Sequence, residues 1–116
     1  MFVSRSLFAL VSTAAALISV NAYTGRATWD SLGTTPCPVQ CPPTDYGVAL
    51  PVDLFPNGEN CCSTVHVSYQ GKNIDVTFNN LFLAGQGSFN ISLSHQAFAE
   101  LAPPEVGQIS PVVWNL

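Results

Sequence analysis

Positive charge is nearly missing from this chain. Lys and Arg supply three of its 116 residues against seven Asp and Glu, and charged residues make up only 9% of the whole. Nucleic acid and anionic lipid are both held by clustered Lys and Arg, so this balance excludes them as partners. The shortage of charge is not a mark of disorder, because hydrophobic residues reach 47% and are spread throughout. No internal repeat and no long linker are present. Beyond the first two dozen residues no segment is apolar enough to span a bilayer, which takes about 20 residues. His66 and His95 have no carboxylate or nucleophile at a recognisable spacing. They read as a strand-face residue and a residue in the first turn of a helix.

The amino terminus has the order of a secretory signal. Arg5 precedes an uncharged, mostly apolar stretch from Leu7 to Val20, and Val20-Asn21-Ala22 places small residues where a signal peptidase reads. The expectation is a signal peptide over 1–22 and one secreted, monomeric domain over 23–116, with no membrane contact after cleavage. The only cations left are then Arg26 and Lys72. A domain of this size is near the lower limit of what one apolar core holds without help.

That help is expected from Cys37, Cys41, Cys61 and Cys62. Export passes a chain through an oxidising compartment, so two disulfides are the default. A zinc site fits poorly, because adjacent Cys61 and Cys62 do not readily converge on one tetrahedral ion; neither metal nor cofactor is expected. Of three connectivities, one joins Cys61 to Cys62 and strains the ring across their peptide bond. The other two send Cys37 and Cys41 each to one member of the pair, and the sequence does not choose between them. Each such bridge closes a loop of about 20 residues, worth roughly 3 kcal/mol.

Hydrophobic period places the elements. Val65, Val67 and Tyr69 alternate with Thr64, His66 and Ser68, while Ile74, Val76 and Phe78 oppose Asp75 and Thr77. Both stretches, 64–69 and 74–78, read as half-buried strands joined by a Gln70-Gly71-Lys72-Asn73 loop. Shorter strands are expected at 25–29, 47–50 and 109–114. A helix is expected at 95–102, capped by Ser94, with Ala97, Phe98 and Leu101 on one face and Pro103-Pro104 as its stop. Residues 31–45, rich in proline and carrying two cysteines, read as a stapled loop without regular structure. The pattern is all-β with one short helix.

Several strings then occur in a telling order. They are Gly25-Arg26-Ala27-Thr28-Trp29, Gly47-Val48-Ala49-Leu50-Pro51 with Phe55, Cys61, Gly71-Lys72 before Ile74–Phe78, Ser92-Leu93-Ser94 before Ala97-Phe98 and Leu101, and Val106-Gly107-Gln108-Ile109 through Trp114. In this order they resemble the double-psi β-barrel group of expansins, rare lipoprotein A-like, barwin-type, plant natriuretic peptide-like and loosenin proteins. The resemblance covers nearly all of 23–116. It implies a six-stranded double-psi β-barrel with one short helix, stapled by two disulfides, and a shallow groove across one face.

The departures from that pattern bear on function. Where lytic or wall-loosening relatives carry two acidic residues, this chain has Asn80 (Asn79 if the register slips by one) and Ser92. Cleaving a glycosidic bond needs a carboxylic acid to protonate the leaving oxygen, which neither residue supplies. Asp30 follows Trp29 and is the substitute acid nearest the implied groove. Asp30 and Asp75 are nevertheless read as ordinary solvated aspartates. The resemblance also points to Thr28 as a groove residue, with Trp29, Tyr46 and Tyr69 as aromatics for stacking on sugars; Tyr69, which shares a face with Val65 and Val67, is read as packing. Together, Thr28, Trp29, Asp30, Tyr46, Asn80 and Ser92 form the expected ligand-binding groove. Asn90-Ile91-Ser92 is a glycosylation sequon whose glycan would crowd it. The function expected is non-catalytic, acting at the cell wall by binding polysaccharide or an extracellular protein. The competing expectation is a lytic transglycosylase or endoglucanase-like enzyme with an altered site.

Overall fold

The computed structural model describes residues 21–116, so the expected signal segment lies almost wholly outside the described residues. In chain order the elements are β1 (Tyr23–Trp29), β2 (Thr34–Pro36), β3 (Gly47–Pro51), β4 (Thr64–Tyr69), β5 (Lys72–Phe82), β6 (Ile91–Leu93), helix α1 (His95–Leu101) and β7 (Ile109–Asn115). Single 3-10 turns occupy Leu83–Gly85 and Pro104–Val106. Six strands close on themselves in the order β5-β3-β6-β1-β7-β4, with β4 returning to β5. The pairs β3–β5 and β1–β6 are parallel, and the other ladders of the ring are antiparallel. Closure leaves the barrel without the open edges that invite pairing with another chain.

The β4–β5 hairpin follows directly from its alternation. Val65, Val67, Val76 and Phe78 are buried, while His66 and Asp75 stand outside. The connection is tighter than the expected four-residue loop. Tyr69 already pairs with Lys72, and Gln70 and Gly71 make the turn with φ of 48° and 81°, the conformation that suits the strand twist. The register sets His66 opposite Asp75, and His66 Nδ1 lies 2.6 Å from Asp75 Oδ1. A carboxylate partner for His66, not legible from spacing along the chain, therefore exists across the strands. It sits on an exposed face.

Strand β5 runs well past its expected end at Phe78. Its first half pairs with β4 as far as Thr77, and its last residues, Asn80–Phe82, take β2 as partner instead. Residues 31–45 are thus not wholly irregular, as expected, because Thr34–Pro36 form a short outer strand. Pro36 is tolerated at the end of an outer strand, where its missing N–H breaks no interior ladder. From there the chain is stapled by Cys37–Cys61 and Cys41–Cys62, which resolves the pairing left open by the sequence.

Inside the barrel, Trp114, Phe78, Leu50, Ile91, Leu93, Val48, Val65, Val67 and Val112 are buried together. Each large aliphatic or aromatic side chain so placed contributes about 1.5–3 kcal/mol. Helix α1 adds Ala97, Phe98 and Leu101. Its cap has several partners. Ser94 Oγ accepts from the backbone N–H groups of Ala97 and Gly47 and donates to the Asp45 carbonyl. Ser94→Ala is expected to lower stability by about 1–2 kcal/mol, the upper part of the N-cap range, since these contacts go together. A urea titration measures it.

Candidate functional site

A groove opens across the barrel where β3, β5 and β6 meet the loop between β1 and β2. It encloses about 150 Å³ and is lined by Asp30, Ser31 and Thr34 on one side, Thr44 and Gly47–Ala49 on another, and Asn79, Asn80 and Ser92–Ser94. Asn79 and Asn80 are consecutive, yet both face it. The parallel ladder explains this: Val48 is level with Phe78 and Ala49 with Asn80, so Asn79 is an extra residue in β5. Such a bulge breaks the alternation that would send neighbours to opposite faces. Asn80 Nδ2 then donates to Asn79 Oδ1 at 2.9 Å.

Gly47 makes room for this pair. A Cβ on Gly47 would come within 2.6 Å of Asn79 Nδ2 and 2.8 Å of its Oδ1, so a methyl group there and the present amide position exclude each other. Ser92, only 4% exposed, sits in β6 level with Ala49 of β3 and Thr28 of β1. Its Oγ accepts from Ser31 N–H at 3.1 Å. Asp30 N–H donates to the Leu93 carbonyl, and the Thr28 and Ser31 hydroxyls lie 2.6 Å apart. One wall of the groove is thereby tied to its floor. Ser92→Ala removes the acceptor for Ser31 N–H and is expected to cost about 1 kcal/mol, with faster amide exchange at Ser31 as the local sign.

The expected site residues divide. Asp30, Asn80 and Ser92 line the groove. Thr28 stands behind the wall and supports it through Ser31. Trp29 turns away, donating Nε1–H to the Pro104 carbonyl and packing against His95 and Phe98 with ring centroids 4.8 and 6.4 Å off. The Tyr46 hydroxyl donates to Glu100 Oε2 at 2.7 Å, tying the strand before the groove to α1. That hydrogen bond, with partial loss of hydration and the nearby Glu100 and Asp45 carboxylates, raises the Tyr46 pKa above its ordinary value. The neutral phenol is favoured in the fold, so this contact holds at neutral pH and is lost as pH rises through the raised value. Tyr69 is half-buried and packs on the core.

Asn90 lies in a separate depression with Arg26, Thr28 and Gln108, and its Oδ1 accepts from Arg26 N–H. A glycan on it would leave from that depression, not from the groove as expected. Ser31, Thr34, Thr44 and Ser94 also line the groove without any sign of that role in the sequence, and Asn79 does so where the sequence offers it only as the alternative register. Small polar residues in loops and strand ends carry no periodic signal. The chemistry the groove offers is hydroxyl, amide and one carboxylate, Asp30. No Lys or Arg lines it, and among the described residues no cluster of His, Cys, Asp and Glu is arranged to hold a metal ion.

Fold and site together define a small, disulfide-stapled double-psi β-barrel with a polar groove that carries a single charge, the Asp30 carboxylate. Solved structures share this fold. Streptomyces papain inhibitor superposes with a TM-score of 0.64 at 29% identity, over 84% of this chain and 96% of that one. The expansin of Clavibacter michiganensis, solved without ligand, gives a TM-score of 0.66 at 25% identity over 81% of this chain. An Asp-to-Asn mutant of that expansin in complex with cellohexaose gives 0.63 at 23% identity, again over 81%. This chain spans only 49% of the expansin's length in both cases. No protein-family model matches the sequence, and no curated protein matches it.

Proposed function

We propose that this protein acts outside the cell by binding a neutral wall polysaccharide in the groove without cleaving it. The observation that carries the proposal is the head-to-tail amide pair beside Ser92. Asn80 Nδ2 gives one of its two N–H groups to Asn79 Oδ1, which leaves Asn79 Nδ2 and the second Asn80 N–H as donors and Asn80 Oδ1 as acceptor for a ligand, with Asp30 across the groove. Adjacent donor and acceptor suit the vicinal hydroxyls of a sugar ring, each of which both gives and takes a hydrogen bond. The cellohexaose complex of an expansin of the same fold supports that class of ligand. A lone carboxylate falls short of the pair that glycoside cleavage uses, one to protonate the leaving oxygen and one to assist attack.

Calorimetry with cellohexaose, and sedimentation with cellulose, chitin and peptidoglycan, test the reading. Asn80→Ala is expected to weaken binding about three- to tenfold, the worth of one or two neutral hydrogen bonds, with the melting midpoint little changed. Binding should vary little with salt, because the lining offers no ion pair to screen. Soluble sugar released by the parent and lost in Asp30→Asn would instead make the protein an enzyme with Asp30 as its acid.

A second reading, a protein partner, is favoured by one observation. Leu32 is 93% exposed at the head of the loop that walls the groove. The likeness to Streptomyces papain inhibitor, which runs through 96% of that protein, points to a papain-type protease as that partner.

A further inference from the structure

Leu32 is far more exposed than any other large apolar side chain among the described residues; the next, Val39, is 55% exposed. An aliphatic side chain held in water adds nothing to folding, yet here the residues flanking it on both sides are tied to the barrel. Asp30 N–H bonds the Leu93 carbonyl, Ser31 N–H bonds Ser92 Oγ, and Leu83 N–H bonds the Gly33 carbonyl at 2.8 Å. The last bond also sets Leu83, 47% exposed, beside the same turn. A rigid loop presenting an apolar side chain has little conformational freedom left to lose on docking, and a side chain buried centrally in a partner's pocket is where binding energy concentrates.

We infer that Leu32 is the anchor by which this protein plugs the substrate cleft of a papain-type cysteine protease, entering an apolar specificity pocket with Leu83 at its rim. The inference rests on the protein-partner reading above. The turn also explains why such a plug survives. Peptides engage a binding cleft as extended strands, with main-chain hydrogen bonds over several residues. Here Asp30 (φ 46°) and Gly33 (φ 79°) bend the chain away on both sides of Ser31–Leu32. The leucine reaches a pocket, but the Leu32–Gly33 peptide does not lie extended for attack.

The test is inhibition of papain acting on a small chromogenic peptide, using the full secreted protein and its Leu32→Ala variant. The parent should raise the apparent KM and leave kcat unchanged. Leu32→Ala should weaken inhibition about tenfold or more, the worth of burying most of a leucine. Its melting midpoint should not move, since the side chain is 93% exposed. Equal inhibition by parent and variant would overturn Leu32 as the anchor while leaving the protein-partner reading in place. No inhibition by the parent would remove both. Cleavage anywhere from Ser31 to Thr34, seen by mass spectrometry, would show that the turn is a substrate and overturn the plug.

Discussion

Replacing Trp114 with alanine is expected to destabilise the protein by about 3–5 kcal/mol, the range for deleting a large buried aromatic. Trp114 has no exposed surface, lies in β7 between Tyr23 of β1 and Val67 of β4, and stacks on the Tyr23 ring at 4.4 Å. Its Nε1–H donates to the Phe89 carbonyl at 2.8 Å, so the variant leaves both a cavity and a carbonyl without its partner. For a domain whose net stability is about 5–15 kcal/mol, that is a large share. Chemical denaturation measures it. A loss under about 1 kcal/mol would mean that the seam between β1, β7 and β4 is held by its backbone ladders alone.

Removing both disulfides, as Cys37→Ser with Cys61→Ser and Cys41→Ser with Cys62→Ser, should be costlier still. The bridges close separations of 24 and 21 residues, and each restricts the unfolded chain by about 3 kcal/mol. Cys37 is also part of the core with Phe55 and Phe78, so a serine there introduces a buried hydroxyl. The effect reaches the groove. Cys37 N–H bonds the Asn79 carbonyl, continuing the β2–β5 pairing past Pro36 into the stapled loop. The singly bridged variants should melt lower than the parent yet keep cellohexaose binding, whereas the four-serine variant should melt lower still and lose that binding. Retained binding in the four-serine variant would show that the barrel alone maintains the groove.

Which elements were legible depended on how each residue is surrounded. The 64–69 strand emerged from alternation because one face is buried and the other wet. Strand β6 did not, since Ile91, Ser92 and Leu93 are all buried and a residue run buried on both sides has no period to read. Strand β5 was cut short for a related reason: the bulge at Asn79 puts two polar residues in succession, which looks like the end of a strand. Proline and glycine made Thr34–Pro36 look like loop, although an outer strand accepts Pro36. Among the candidate site residues, Asp30, Asn80 and Ser92 share the groove, whereas Trp29 faces Pro104 and His95. The aromatic signal in the chain was real, but the side chain's direction depended on a turn distant in sequence.

By itself the sequence determined what local order controls. The 64–78 hairpin, though not the two-residue length of its turn, the helix begun by Ser94 and ended by the proline pair, and the need for two bridges between the Cys37/Cys41 loop and Cys61-Cys62 all follow from period, capping and strain within short windows. Only the tertiary structure decided that Cys37 takes Cys61 and Cys41 takes Cys62, that β2 completes the outer edge of β5, and that amides, hydroxyls and Asp30 converge on one groove. These depend on the parallel ladders β1–β6 and β3–β5. Such ladders join segments far apart in the chain, and their register is set by barrel closure and a one-residue bulge, neither of which leaves a periodic trace in the sequence.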